Sequence, residues 1–298
     1  MFKITPAKGK IICVYGPTAS SKTKFAISLA KKIGGVVINA DSMQVYSEVP
    51  ILTSQPSYEE QSIISHRLYG IINPTSDFSV HQWLNLVVKE IDDIRKQNLH
   101  PILVGGTGMY LTSLINGIAK IPEITQNIKQ EVEDLTREKN NAELHDMLVK
   151  YDADLAKKLS VNDRIRILRG LEVIIATGKS ILKWQDLNNK FYQRDDFINI
   201  YIRFDRATLY DNINSRFLKM IELGVEQEVK EIIKKYDANK LPKIIGLSVL
   251  HDYILGNISF EEMVVTIQKN TRNYAKRQFT WFNNKLNHDH IVLNYEQN

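Results

Sequence analysis

The chain has almost no cysteine. Cys13 is the only one among 298 residues, which excludes an intramolecular disulfide and a cysteine-rich metal site. It lies in the apolar run "IICVY", where a buried, inert thiol is expected. Long apolar runs are also missing, so no membrane-spanning helix is expected. The opening "MFKITPAKGK" lacks the apolar stretch of a signal peptide, and a cytoplasmic location is the default expectation. There is no internal repeat and no low-complexity segment. What is present, 43% hydrophobic and 24% charged residues, is ordinary for a globular protein. The length suits one large core or two unequal domains. A net charge of +5 permits a nucleic-acid partner without requiring one.

Short apolar runs alternate with helical periodicity. "KIICVY" runs into glycine and then into a helical pattern from Lys22 to Ile33. "GVVINA" reads as a second buried strand, ending at Asp41, and "HRLYGIIN" as a third. Val80 to Gln97 is helical, and "PILVGGTG" is a strand followed by a helix from about Met109. This alternation predicts an α/β fold, a parallel sheet with helices on both faces. From Pro122 to Leu187 there is no convincing strand, only helical patterns broken by polar turns. The expected organisation is an α/β core of residues 1–121 and 188–298 with an inserted helical subdomain, 122–187. "FINIYIRF" resumes the sheet, helical patterns cover Arg206 to Leu223, Val225 to Tyr236 and Ser259 to Trp281, and "HIVLNY" reads as a last strand.

"VYGPTASSKTKFA" matches a phosphate-binding loop with Gly16, Lys22 and Thr23 in place and Ser21 where the second glycine belongs. In such a loop, backbone N–H groups and the positive end of the following helix cradle phosphate. Lys22 would reach the outer phosphates and Thr23 would ligate Mg²⁺. A left-handed Ser21 would cost about 1–2 kcal/mol. The plain alternative is a chance strand–turn–helix that starts on Lys-Thr. A nucleoside triphosphatase usually adds an Asp at the end of a neighbouring strand, whereas "PILVGG" ends in glycines. Asp41 ends the second strand and so faces the crevice at the carboxyl edge of the sheet. It suits a general base for an acceptor group, or an N-cap or turn acid. Thr107, in "GGTG", lies at the same edge, where Gly105, Gly106 and Gly108 allow close approach of a ligand or simply turn the chain. Arg166 and Arg169, with Arg164 nearby, share one helix face. Lys269, Arg272 and Lys276 form a stripe interleaved with Tyr274, Phe279, Trp281 and Phe282. Such stripes suit RNA, or a solvated face over an aromatic core contact.

"GPTASSKT", "INADSMQVY", "PILVGGTGMYL", "NDRIRILRGLEV", "RFLKMIELGVEQEV" and "EEMVVTIQKNTRNYAKRQFTWF" occur in that order, and the chain resembles the tRNA dimethylallyltransferases (tRNA isopentenyltransferases) from Lys10 to Asn284. The resemblance implies a P-loop kinase-like core with an inserted helical domain for the anticodon stem-loop. It implies transfer of a dimethylallyl group from dimethylallyl diphosphate to N6 of the adenosine beside the tRNA anticodon. It places Gly16, Pro17, Thr18, Ala19, Ser20, Ser21, Lys22 and Thr23 on the diphosphate, with Thr23 near Mg²⁺. It makes Asp41 the acceptor of the N6 proton, sets Thr107 at the bridging oxygen and brings Arg216 to the diphosphate. It assigns tRNA contacts to Asp41, Ser42, Met43, Gln44, Thr107 and Lys129, to Ile165, Arg166, Ile167, Leu168 and Arg169, and to Lys243, Ile244, Ile245, Gly246, Leu247 and Ser248. A monomer is expected. Three places depart from the family's pattern: Ser21 for glycine, Gln55 for lysine, and Leu247–Ser248 where tyrosine and a basic residue are typical. The alternatives are a prenyltransferase acting on free adenine nucleotides, a P-loop small-molecule kinase using ATP, and an inactive tRNA-binding paralogue.

Overall fold

The computed structural model describes residues 6–186 and 190–295. The chain packs as two compact units, Met1–Ile115 with Tyr192–Asn298, and Asn116–Phe191. The ends of the second unit differ by a few residues from the expected 122–187, and Leu187 itself lies outside the described residues.

The first unit opens with β1 (Ile11–Tyr15), α1 (Lys22–Ile33), β2 (Gly35–Asn39), α2 (Tyr58–Ile63), β3 (His66–Arg67), α3 (Val80–Lys96), β4 (His100–Gly105) and α4 (Gly108–Asn116). The second unit holds α5 (Gln126–Thr136), α6 (Asn141–Tyr151), α7 (Ala153–Ala156), α8 (Arg164–Thr177) and α9 (Ile181–Gln185). The first unit resumes with β5 (Phe197–Arg203), α10 (Arg206–Glu222), α11 (Val225–Lys235), α12 (Leu247–Ile254), α13 (Phe260–Lys285) and β6 (His290–Leu293).

The six strands form one sheet in the order β3-β2-β4-β1-β5-β6. Every neighbouring pair is parallel, so all carboxyl ends share one edge. All five residues of β1 are buried, as its apolar run requires of a central strand. Val14, Phe25, Val104, Ile200 and Leu209 belong to the core cluster against the sheet. A second cluster joins Val49 and Leu52 to Phe217, Val229, Leu250 and Ile267 of the later helices. In the other unit Val132, Leu144, Leu148, Leu155, Ile167 and Leu171 form a separate core. There, a Cβ on Gly170 would stand 2.5 Å from Leu155 Cδ2, so a larger residue at that position would have to displace the leucine side chain.

One local expectation is corrected. "HRLYGIIN" is not a full strand. Its pairing stops after Arg67, because Leu68 (φ 64°) and Gly70 (φ 59°) are left-handed and turn the chain. Contact returns only as a single bridge, Tyr46 to Ile72. Residues 58–63, to which the sequence pattern assigned no element, form α2 on a capping box between Ser57 and Glu60.

Candidate active site

The site is assembled on the carboxyl edge of the sheet. β1 delivers Gly16, where a Cβ would stand 2.2 Å from the Ile202 carbonyl oxygen; only glycine lets the loop leave the sheet here. Ala19 (φ 62°) and Ser21 (φ 55°) are both left-handed. Ser21 is the N-cap of α1, and its side chain makes no capping bond. The strained serine backbone anticipated from the loop motif is therefore present. Ser21→Gly is expected to leave affinity for inorganic diphosphate unchanged or to raise it by tenfold or less, from relief of about 1 kcal/mol. Calorimetric titration measures this, and a large loss would give the hydroxyl a role of its own.

Lys22 Nζ donates to the Pro17 carbonyl at 2.7 Å. Burial pulls the Lys22 ammonium down to about 8, partly countered by Asp41 and reinforced by Arg216. Burial also pulls Arg216, on α10, down to about 10, against the pull of Asp41. Lys22, Arg216 and Asp41 thus share one cleft, of about 790 Å³, lined by Thr18 to Lys24 and Gln44, with Lys219 and Glu60 also on its wall. A bound anion favours charged Lys22 and raises its pKa. Diphosphate binding at a pH just above 8 should therefore take up a proton, and affinity should fall as pH rises through about 8. Calorimetry in two buffers of different ionisation enthalpy reads the uptake, which Lys22→Met should abolish.

A smaller cavity of about 70 Å³ adjoins the cleft. Its apolar wall includes Met43, Leu52, Ile213, Phe217, Met220 and Ile244, and Asp41, Arg216 and Tyr274 also line it. The Glu228 carboxylate accepts from Ile51 N (2.7 Å) and Leu52 N (2.8 Å), which pins that wall. A wider opening of about 810 Å³, lined by Arg203, Tyr210, Lys276 and Phe279, shares none of these residues.

Asp41 is held by its own strand. The buried Asn39 side chain accepts from Asp41 N at 2.8 Å and donates to the Asp41 carbonyl at 3.0 Å and the Leu68 carbonyl at 3.1 Å. Asp41 Oδ1 accepts from Met43 N at 3.0 Å, so the acid closes a turn while it lines the cleft. Thr107 Oγ1 accepts from Ser42 N at 2.8 Å and donates to Ser42 Oγ at 3.1 Å, which joins the "GGTG" and "ADSMQ" loops. Burial raises the Tyr274 hydroxyl's pKa, with Asp41 adding to the effect and the Thr107 and Gln278 side chains opposing it.

A family model described as IPP transferase matches residues 44–285. The tRNA dimethylallyltransferase of Pelagibacter ubique (strain HTCC1062) is 39% identical over 94% of this chain and 90% of its own length. The chain belongs to the IPP transferase family. Among solved structures, the tRNA delta(2)-isopentenylpyrophosphate transferase of Staphylococcus epidermidis matches with a TM-score of 0.66 at 35% identity, covering 96% of this chain and 94% of that one. A eukaryotic dimethylallyltransferase, solved acting on tRNA, matches with a TM-score of 0.81 at 27% identity, covering 97% of this chain and 75% of that one.

The segments that the IPP transferase resemblance linked to tRNA are unequally exposed. Gln44 Nε2 donates to the carbonyls of Thr53 (3.0 Å) and Ser54 (2.6 Å), so its amide is spent on the loop. Gln55, at the family's lysine, donates to the Tyr46 carbonyl at 2.8 Å and brings no cation to the cleft. Ile244, Gly246 and Leu247 are buried; Lys243 and Ser248 are exposed and Ile245 is half-buried. In the helical unit, Lys129 is exposed and Ile165 is 82% exposed. Ile167 is buried in that unit's core, so its side chain offers RNA no surface. Arg166 pairs with Asp163 (3.5 Å) and Arg169 with Glu172 (2.9 Å), and both arginines remain solvent-accessible. Arg164 is spent on the carbonyls of Lys139 and Thr136.

On α13, Phe282 and Trp281 are packed against other protein groups, whereas Phe279 is half-buried and lines the wider opening. Phe282 is buried against Tyr15 and Tyr201, and the Trp281 ring occupies the space beside Gly108. Arg272 reaches Asn214 at 2.7 Å, whereas Lys269 and Lys276 are exposed. The solvated-face alternative holds for Phe282 and Trp281. The sequence reading missed Gln278. Its signal lay in the helical spacing of Ile267, Thr271, Tyr274, Gln278 and Trp281, which sets a polar amide on the inward stripe.

Proposed function

We propose that the chain transfers a dimethylallyl group from dimethylallyl diphosphate to N6 of the adenosine adjacent to the anticodon in tRNA, releasing diphosphate. The observation that carries this is the junction at Asp41. A cationic phosphate cleft opens there into a small apolar cavity, and the carboxylate lines both. Diphosphate suits the cleft, a five-carbon tail suits the cavity, and the acceptor nitrogen meets the base between them. A triphosphate's terminal phosphate has no use for the apolar cavity, which weighs against a kinase.

The reaction breaks the allylic C1–O bond and forms N6–C1. Negative charge develops on the leaving diphosphate, where Lys22 and Arg216, which line the cleft, would stabilise it together with loop N–H groups. The N6 lone pair is delocalised into the purine, so the amine is a weak nucleophile and its proton passes to Asp41. Among the described residues no cluster of three His, Cys, Asp or Glu side chains is placed to hold a metal. Half-buried Thr23, lining the cleft, fits a Mg²⁺ held mainly by phosphate oxygens and water. When bound, that ion would neutralise charge on the diphosphate. Exposed Lys129 and Arg166, with half-buried Arg169, support an RNA acceptor, whose affinity should weaken with salt.

Labelled dimethylallyl diphosphate offered with tRNA or with AMP tests the reading, alongside an assay for ATP-dependent phosphorylation. Label is expected in tRNA alone. Equal labelling of AMP, or phosphoryl transfer from ATP, overturns the proposal. A ten-carbon donor should transfer poorly, because a cavity of about 70 Å³ is small for the longer tail.

A further inference from the structure

α13 turns one face toward the site. Along it, Ile267, Thr271 and Tyr274 line the apolar cavity, and Trp281 packs on Gly108. Between them Gln278 is only 4% exposed. Its Oε1 accepts from the Thr18 backbone N–H at 2.8 Å, and its Nε2 donates to the Gly106 carbonyl at 2.8 Å. One partner is an N–H and the other a carbonyl, so only one orientation of the amide satisfies both. Thr18 belongs to the phosphate loop, and Gly106 immediately precedes Thr107. Gly106 also abuts the acid: a Cβ built there would stand 3.2 Å from Asp41 Oδ2 and 2.3 Å from Gln278 Nε2.

We infer that Gln278 is a positioning residue that sets the separation between the donor's phosphate loop and the Asp41–Thr107 pair. This rests on the proposed prenyl transfer. Gln278 spans the two loops, and both of these hydrogen bonds are to protein backbone. The Thr18 N–H is directed at the glutamine, which leaves the other loop N–H groups for phosphate. The bridge needs one acceptor and one donor on a single side chain of this length. Leucine supplies neither, and ionised glutamate supplies only the acceptor while facing the Gly106 carbonyl and Asp41. Protonated glutamate supplies both. Reaction rates are sensitive to this separation, because misplacing reacting groups by about 1 Å costs on the order of 10² in rate.

The test uses full-length Gln278→Leu and Gln278→Glu with tRNA and dimethylallyl diphosphate in single-turnover reactions. Gln278→Leu is expected to slow transfer about 10–100-fold while tRNA and diphosphate dissociation constants move by about threefold or less. The rate of Gln278→Glu, divided by that of the unsubstituted protein, is expected to rise as pH falls, whereas the same ratio for Gln278→Leu stays flat. A purely structural role lowers the melting temperature of both variants and leaves both ratios flat. A Gln278→Leu rate within about twofold of normal, or a flat Gln278→Glu ratio, overturns the inference. If Gln278→Leu does not fold, the Gln278→Glu profile alone decides. If the unsubstituted protein moves no prenyl group to tRNA, the proposed reaction has failed, not the bridge. Hydrogen exchange at the Thr18 amide then reports the bridge, with faster exchange in Gln278→Leu expected and unchanged exchange contradicting it.

Discussion

Asp41→Asn is expected to lower the single-turnover rate of transfer to tRNA by about 10²–10⁴-fold, with donor and tRNA dissociation constants changed only modestly. The amide keeps the turn, since its oxygen still accepts from Met43 N, the 3.0 Å bond of the native loop. It also still accepts a hydrogen bond from an incoming amine, but it cannot take the proton. The charge of Asp41 also helps to keep Lys22 and Arg216 protonated. Without it Lys22 should titrate lower still, so the comparison belongs at a pH well below 8. Near-normal turnover would remove Asp41 from catalysis. Lost binding with normal residual chemistry would reduce it to a positioning residue at the turn.

Gly105→Ala is expected to damage stability and rate together. A Cβ at this position would stand 2.0 Å from the Ala40 carbonyl oxygen, 2.1 Å from its carbon and 2.8 Å from its Cα. All three atoms are backbone, so no side chain can swing aside. Relief requires β2 and β4 to separate where Ala40 N donates to the Val104 carbonyl at 2.8 Å. Overpacking of this kind costs about 1–3 kcal/mol or more, and at about 2–4 °C per kcal/mol the melting temperature should fall by several degrees. Ala40 immediately precedes Asp41, so the displacement reaches the acid directly. Single-turnover transfer should fall by about 10²-fold even well below the new melting temperature. Thermal melts and transfer assays on the same preparation check both parts. An unchanged melting temperature would show that the strands yield there at no cost.

The α/β core was legible because β1, β2, β4 and β5 are buried runs that end at chemistry-bearing turns. The turn between β1 and α1 was legible because Gly16, Lys22 and Thr23 keep the spacing of a phosphate loop, even with Ser21 in a glycine's backbone conformation. β3 was overread because "HRLYGIIN" is apolar enough for a strand, while the left-handed turn at Leu68 is set by tertiary contacts. Asn39 packs against that residue's carbonyl at 3.1 Å. α12 was missed because "IIGLSVLHDYI" is short and opens at a left-handed Gly246 (φ 94°). Within the site, the residues carrying charge were visible and those that hold them were not. Gln278 and Asn39 are polar groups buried by long-range packing, and neither belongs to a local motif. Arg164 and Ile167 show the converse: both lie in a segment read as RNA-facing, yet one is spent on helix-end carbonyls and the other fills a core.

The most direct measurement is the fate of the acceptor base. Unmodified tRNA incubated with the protein, dimethylallyl diphosphate and Mg²⁺ can be digested to nucleosides and short fragments and mapped by mass spectrometry. The account predicts one dimethylallyl group per tRNA, on the adenosine adjacent to the anticodon, with one diphosphate released for each. It predicts none when that adenosine is replaced by guanosine. Unmodified tRNA recovered from a reaction in which both donor and tRNA are bound would contradict it.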